Sequence, residues 1–201
     1  MKLKHILLAT AASVVMFACG GEKKTESVVD STGTETTYTI DTAASTVSWK
    51  GSMLKMHSHY GEISLTEGSL TAKGNLITAG SFTINMKSIA PLDSNYSKDH
   101  PKDYLIGHLS GADFFAVDTF PTATFVVKKV EGNTITGDLT VRGKTNEEKV
   151  TDVVVAADSA TVNATGKLTF NRQKYGVAYK AANDMILSDD IELNITLVGK
   201  K

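Results

Sequence analysis

The run Val162-Asn163-Ala164-Thr165-Gly166-Lys167-Leu168-Thr169-Phe170 decides the fold. Val162, Ala164, Gly166, Leu168 and Phe170 fall on one side, and Asn163, Thr165, Lys167 and Thr169 on the other. A period of two gives an extended strand one apolar and one polar face, whereas a helix would scatter the same residues around its axis. The pattern recurs in both directions. Toward the C-terminus Ile191, Leu193, Ile195 and Leu197 alternate with Glu192, Asn194, Thr196 and Val198. Upstream, Phe82, Ile84 and Met86 share a face, as do Ala123, Phe125 and Val127, and then Ile135, Gly137, Leu139 and Val141.

Turn chemistry punctuates these runs. Glu67-Gly68, Lys73-Gly74-Asn75, Ala79-Gly80, Glu131-Gly132-Asn133 and Arg142-Gly143 each read as strand boundaries, with Gly132-Asn133 as a tight hairpin. Residues 99–117 break the rhythm: Tyr104, Leu105, His108 and Leu109 recur at helical spacing and predict one or two short helices. The fold class is therefore all-β, built from many short antiparallel strands. A sandwich and a barrel both satisfy that pattern. A barrel of about eight strands is just wide enough to be filled by side chains or to hold one small ligand.

Around this domain the chain carries an address. Lys2 and Lys4 precede an apolar run over residues 6–18, too short for a bilayer span of about 20 residues. Such a start reads as a secretory signal. Met16-Phe17-Ala18-Cys19-Gly20 resembles a bacterial lipobox, in which the cysteine is diacylated and becomes the first residue. Cys19 is the only cysteine, so an internal disulfide is excluded and lipidation gives the thiol a use. Two acyl chains anchor a protein stably where one does not. Cleavage removes Lys2 and Lys4 and takes the formal charge from -1 to -3. Residues 20–37 are rich in Gly, Ser, Thr and Glu, with only Val28 and Val29 as bulky apolar groups, and predict a flexible tether. A tether of that length spans roughly 20–25 Å on average. The expected organisation is a signal peptide over residues 1–18, a lipidated linker over 19–37 and one domain over 38–201. The expected location is the bacterial cell envelope, facing the periplasm or the cell surface.

With 201 residues, 41% of them hydrophobic, the chain buries a core without disulfides or metal. The near-neutral charge offers no basic field for nucleic acid. Catalytic patterns are weak. No serine sits in a Gly-x-Ser-x-Gly turn, and the adjacent pairs Glu147-Glu148 and Asp189-Asp190 point to opposite faces of their strands. His57-x-His59 puts two imidazoles on one face, with His100, His108, Asp99 and Asp103 elsewhere, but no third ligand stands at a diagnostic spacing. Asp93-x-Asn95-x-Ser97-x-Asp99 imitates half a calcium loop, yet Lys98 replaces the glycine and Tyr104 the closing glutamate. The expectation is a non-enzyme with no metal or cofactor.

A set of ordered motifs then narrows the reading. His108-Leu109-Ser110-Gly111-Ala112-Asp113-Phe114-Phe115, followed by Phe120-Pro121-Thr122-Ala123-Thr124-Phe125, resembles the YceI-like family. Gly137-Asp138-Leu139-Thr140-Val141-Arg142-Gly143-Lys144-Thr145 does so too, as do residues 170–176, Asp190-Ile191-Glu192-Leu193, and an opening of Tyr38-Thr39-Ile40-Asp41 with Trp49-Lys50-Gly51. The resemblance implies a lipocalin-like antiparallel barrel whose tunnel binds a polyisoprenoid chain such as a quinone tail. The polar, Met-rich stretch after Trp49, with histidines at His57 and His59, departs from that pattern. The partners so implied are a hydrophobic small molecule and, through the anchor, a membrane. An envelope module without a ligand is the competing expectation.

Inward alternation nominates Trp49, Phe82, Ile84, Met86, Phe125, Leu139, Phe170 and Ile195 as tunnel wall, with Phe114 and Phe115 closing one end. His108, Asp113, Arg172 and Tyr175 are nominated as polar contacts at the tunnel mouth. The simpler alternative makes Asp113 a cap and Arg172 the partner of a carboxylate, tying the helical segment to the barrel. About ten buried methylenes contribute roughly 8 kcal/mol gross, from which association costs of several kcal/mol are subtracted.

Overall fold

The computed structural model describes residues 33–54, 58–179 and 186–201. Cys19, the lipobox and His57 lie outside these residues. In chain order the strands are β1 (Glu35–Ile40), β2 (Thr46–Leu54), β3 (Ser58–Ile63), β4 (Leu65–Lys73), β5 (Leu76–Asn85) and β6 (Ala90–Pro91). One helix follows, α1 (Lys102–Ser110). Then come β7 (Thr122–Glu131), β8 (Thr134–Val141), β9 (Lys144–Ala157), β10 (Thr161–Asn171) and β11 (Ile186–Lys200).

Every pairing is antiparallel. The order β1-β4-β5-β7-β8-β9-β10-β11, with β1 also paired to β11, closes an eight-stranded barrel. Closure leaves those strands without free edges. The same edge of β11 that meets β1 near its end carries β2 along most of its length, and β2 pairs in turn with β3 and β3 with β6. The first two staves are thus broken strands: β1 continues as β2 after a bend at residues 41–45, and β3 continues as β4 through Ser64.

The alternating runs lie in strands except for Met86, which falls in a 3-10 turn (Met86–Ser88) just after β5, and α1 falls inside residues 99–117. β1 starts at Glu35, ahead of Tyr38, because Thr36 and Thr37 continue the pairing with Ala72 and Thr71. Two-residue turns sit at Gly74-Asn75, Gly132-Asn133 and Arg142-Gly143, where Lys73 pairs with Leu76, Glu131 with Thr134 and Val141 with Lys144. Arg142 and Gly143 both have positive φ, 50° and 67°, which suits the twist of a hairpin.

Two of the expected boundaries are corrected. Glu67-Gly68 lies within β4 and Ala79-Gly80 within β5. Gly68 faces Phe82 across the sheet, and a Cβ on it would stand 2.9 Å from that ring. The glycine there makes room for an aromatic ring, not for a turn.

One end of the barrel is sealed by main-chain contacts. Asn75 Oδ1 accepts from the Ala157 amide at 3.0 Å, Tyr38 donates to the Asp158 carbonyl, and the Lys201 amide reaches the Ala160 carbonyl at 2.9 Å. Inside this half the core is solid: Phe82 and Phe125 are partners across β5 and β7, packed with Tyr38, Leu70, Ile135 and Val162, and Leu139, the partner of Phe125 on β8, stands at its inner boundary.

Candidate apolar binding cavity

The other half of the barrel is hollow. A cavity of about 640 Å³ lies between the strand ends and the segment that carries α1. This falls within the usual range of small-molecule sites, roughly 300–1,000 Å³. Its wall is made by Val47, Trp49, Ile63, Ile84, Leu139 and Phe170, with further apolar side chains from β7, β8 and β11. Each lies on the inward set of its strand, so alternation puts methyl, methylene and ring carbon against the space. Leu105, His108 and Leu109 on α1, then Phe114 and Phe115, cover it.

Of the nominated wall residues, Trp49, Ile84, Met86, Phe114, Phe115, Leu139 and Phe170 border the cavity. Phe82, Phe125 and Ile195 point inward but do not border it. Phe82 and Phe125 belong to the solid floor, and Ile195 packs on the buried core from β11. Inward alternation specifies the face of a residue but not its height in the barrel, which corrects those three.

The polar nominees also divide. His108 borders the cavity, with its ring centroid 4.4 Å from that of Tyr179 and 5.3 Å from that of Phe114, both edge-on. Burial lowers its pKa, partly opposed by the negative charge of Asp113. Asp113 itself is exposed. Arg172 is 2% exposed and turned away from the cavity. Its Nη1 donates to the carbonyls of Val177 (2.6 Å) and Tyr179 (3.0 Å), its Nε to that of Ser188 (3.0 Å), and its Nη2 to Asp189 Oδ1 (3.0 Å). Arg172 thus holds residues 177–179 against β11, so Tyr179 is set in place over the cavity. Tyr175 is fully buried behind Phe170 and donates to Glu148 Oε1 at 3.1 Å. Burial, then the Glu148 charge, raises its pKa. Arg172 and Tyr175 support the wall and are not mouth contacts.

A polar cluster that spacing alone did not assemble lies at the covered end. The Asp93 side chain is 1% exposed. It accepts from His59 Nδ1 at 3.1 Å, the Tyr96 hydroxyl at 2.9 Å, and the amides of Asn95 (2.9 Å) and Tyr60 (3.3 Å). Burial acts to raise the Asp93 pKa, but the hydrogen bonds from Asn95, Tyr96 and His59 outweigh it and the net shift is downward. Burial and the Asp93 charge push Tyr96 up to about 12. His59 stacks on Tyr96 with centroids 5.8 Å apart, and both rings border the cavity. The only forewarning was the Asp93-x-Asn95-x-Ser97 pattern. Its carboxylate is spent on protein donors, and Ser97 Oγ accepts from the His100 amide at 3.1 Å. Among the described residues no group of three His, Cys, Asp or Glu side chains is arranged to hold a metal ion.

Arg142, read from sequence as a turn residue within a family-like motif, is a second clamp. Its guanidinium donates to the carbonyls of Gly176 and Ala112, tying the cover segment to residues 176–179.

The arrangement is a hydrocarbon-walled chamber with polar and aromatic groups gathered at one end. It suits an elongated apolar molecule that carries a small polar terminus. Known proteins share the architecture. A UPF0312 protein of Staphylococcus aureus strain USA300 is 37% identical over 102 residues, 47% of this chain, and the match spans 57% of that relative's length. Burkholderia cenocepacia BcnA aligns with a TM-score of 0.59 at 25% identity, covering 79% of this chain and 98% of that one. A polyisoprenoid binding domain from Saccharophagus degradans, implicated in plant cell wall breakdown, aligns with a TM-score of 0.53 at 12% identity over 81% of this chain and 97% of that one. That likeness is one of fold. Residues 38–199 match the model of the YceI-like domain, and the chain belongs to that family.

Proposed function

We propose that this protein is an exported, lipid-anchored binder of one apolar chain-like molecule, a polyisoprenoid, quinone or similar lipid, which it carries, stores or shields without chemical change. The observation that carries the reading is the cavity of about 640 Å³ with its hydrocarbon wall. The solved Saccharophagus domain, described as polyisoprenoid binding, is in keeping with it.

Such a space favours being filled. Water inside would lack hydrogen-bond partners along most of the wall, and an empty space forfeits dispersion contacts with every lining atom. A hydrocarbon chain supplies both deficits without requiring directional contacts. Its polar end would lie at the His59, Tyr96 and His108 end, where donors and acceptors are available. This favours the carrier reading over a ligand-free envelope module. Cys19 after Ala18 supports attachment through acyl chains, which places the binder where such lipids reside.

The lone tryptophan provides the test. Trp49 borders the cavity, and a decyl-tailed benzoquinone bound there quenches its fluorescence. Saturable quenching at one equivalent is expected in detergent micelles. Quenching that never saturates, or none at all, would contradict occupancy of the chamber.

A further inference from the structure

The outer surface beside the cavity carries an apolar face that the binding chamber does not use. β3 pairs with β6 through Gly61–Pro91 and Glu62–Ala90, and the Leu92 amide donates to the Tyr60 carbonyl at 2.8 Å, one step further along. Tyr60 and Leu92 therefore stand opposite each other on one face of the sheet. That face is the outer one, because the next residue, Gly61, pairs with Trp49, which points into the cavity. Tyr60 is 51% exposed and Leu92 55%.

Tyr104, in the first turn of α1, is 62% exposed and also borders the cavity. α1 packs on β6, immediately before Leu92, and buries none of its own residues. Tyr104 thus stands at the edge of the chamber, on the helix that packs beside the strand leading to Leu92. Those three are among five large hydrophobic side chains exposed in the described residues; of the five only Tyr104 borders the cavity, and the remaining two, Val126 and Val154, lie on β7 and β9.

We propose that Tyr60, Leu92 and Tyr104 form a bilayer-docking face at the end of the barrel covered by α1, through which the apolar ligand passes between membrane and cavity. The proposal rests on the binding reading above. Three side chains make too small an apolar centre to hold a stable protein interface by themselves. They suit shallow insertion at a membrane surface, where tyrosine keeps its ring in the apolar layer and its hydroxyl in water. The neighbouring charges are mixed in sign, Lys98 with Asp99, Lys102 with Asp103, Lys50 paired with Glu192 at 3.2 Å, and Glu62 exposed two residues from Tyr60 on the same face, so a zwitterionic surface suits this face better than an anionic one. Insertion of this size is weak and reversible, as a ligand-exchanging contact has to be.

The test follows Trp49 quenching after the full chain is mixed with phosphatidylcholine vesicles containing the decyl-tailed benzoquinone. All forms carry Cys19→Ser, so that no acyl anchor masks the effect. Tyr60→Ser/Leu92→Ser is expected to load about tenfold more slowly than the parent, the loss of roughly 1.4 kcal/mol of apolar contact. Tyr60→Phe/Leu92→Met keeps the face apolar and is expected to load at the parental rate. So is Val126→Ser/Val154→Ser, which removes exposed apolar surface elsewhere. Loading in detergent micelles is expected to be equal for all four. Parental loading by the Tyr60/Leu92 serine pair from vesicles, or equal slowing by the Val126/Val154 pair, would overturn docking while leaving the binding reading intact. Failure of the parent to quench in micelles would overturn the binding reading, and docking with it.

Discussion

The ring of Phe125 lies against the backbone of Gly137, the residue diagonal to it across β7 and β8. A Cβ on Gly137 would stand 2.4 Å from Phe125 Cζ and 2.6 Å from the Val126 carbonyl oxygen. Neither neighbour has space to retreat, since Phe125 also packs against Phe82 in the solid floor. Gly137→Val is expected to destabilise the domain by about 2–4 kcal/mol, read as a lowered urea midpoint at unchanged slope. A midpoint equal to the wild type would mean that the floor is looser than described.

Above that floor the consequence reverses, because added volume meets empty space. Ala123 is buried and borders the cavity. Ala123→Phe should lower the affinity for an apolar chain at least about tenfold while leaving the melting temperature unchanged or slightly raised. Calorimetry and Trp49 titration on the same sample separate the two effects. Unaltered affinity would place the ligand elsewhere.

His108 couples the cover to pH. Burial among Phe114 and Tyr179 holds its imidazole pKa below the ordinary value, about 6.5. The neutral ring is therefore the form the folded state prefers. The resulting stability is complete above that value and is lost as pH falls through the lower folded pKa. Urea midpoints measured downward from pH 7.5 should fall for the wild type in that window, and fall less for His108→Phe. Parallel curves would show that other groups carry the acid dependence.

The proposed membrane attachment turns on a residue outside the described fold. Cys19→Ser is expected to move the protein from the membrane to the soluble fraction after cell lysis and high-speed sedimentation. An unchanged distribution would contradict lipidation at Cys19.

The sequence made some of this plain and hid the rest for definable reasons. Alternation in β5, β7, β8, β10 and β11 is long and regular, so strand identity and facing were legible. Tight turns at Gly132-Asn133 and Arg142-Gly143 were legible because they join such runs directly. Gly68 and Gly80 were misleading: a glycine that admits the Phe82 ring and one that admits a turn look alike in sequence. Depth was not legible at all. Phe125 and Leu139 have the same inward signature and are direct partners across the sheet, yet only Leu139 reaches the cavity. The His59–Asp93 pair joins residues 34 apart through β3 and the loop after β6, and no local pattern encodes that meeting. Arg172 was legible as a charged residue in a family-like motif. Its partners, mostly main-chain carbonyls, were not, because carbonyls carry no sequence signal.

The most direct test of ligand occupancy is mass spectrometry of a gentle organic extract from protein purified from its native cells. One long apolar molecule, polyprenyl or acyl, is expected per barrel, and its loss is expected from the Ala123→Phe variant prepared in parallel. Protein that repeatedly comes out empty, in extracts where added polyprenyl standard is recovered in full, would contradict that occupancy.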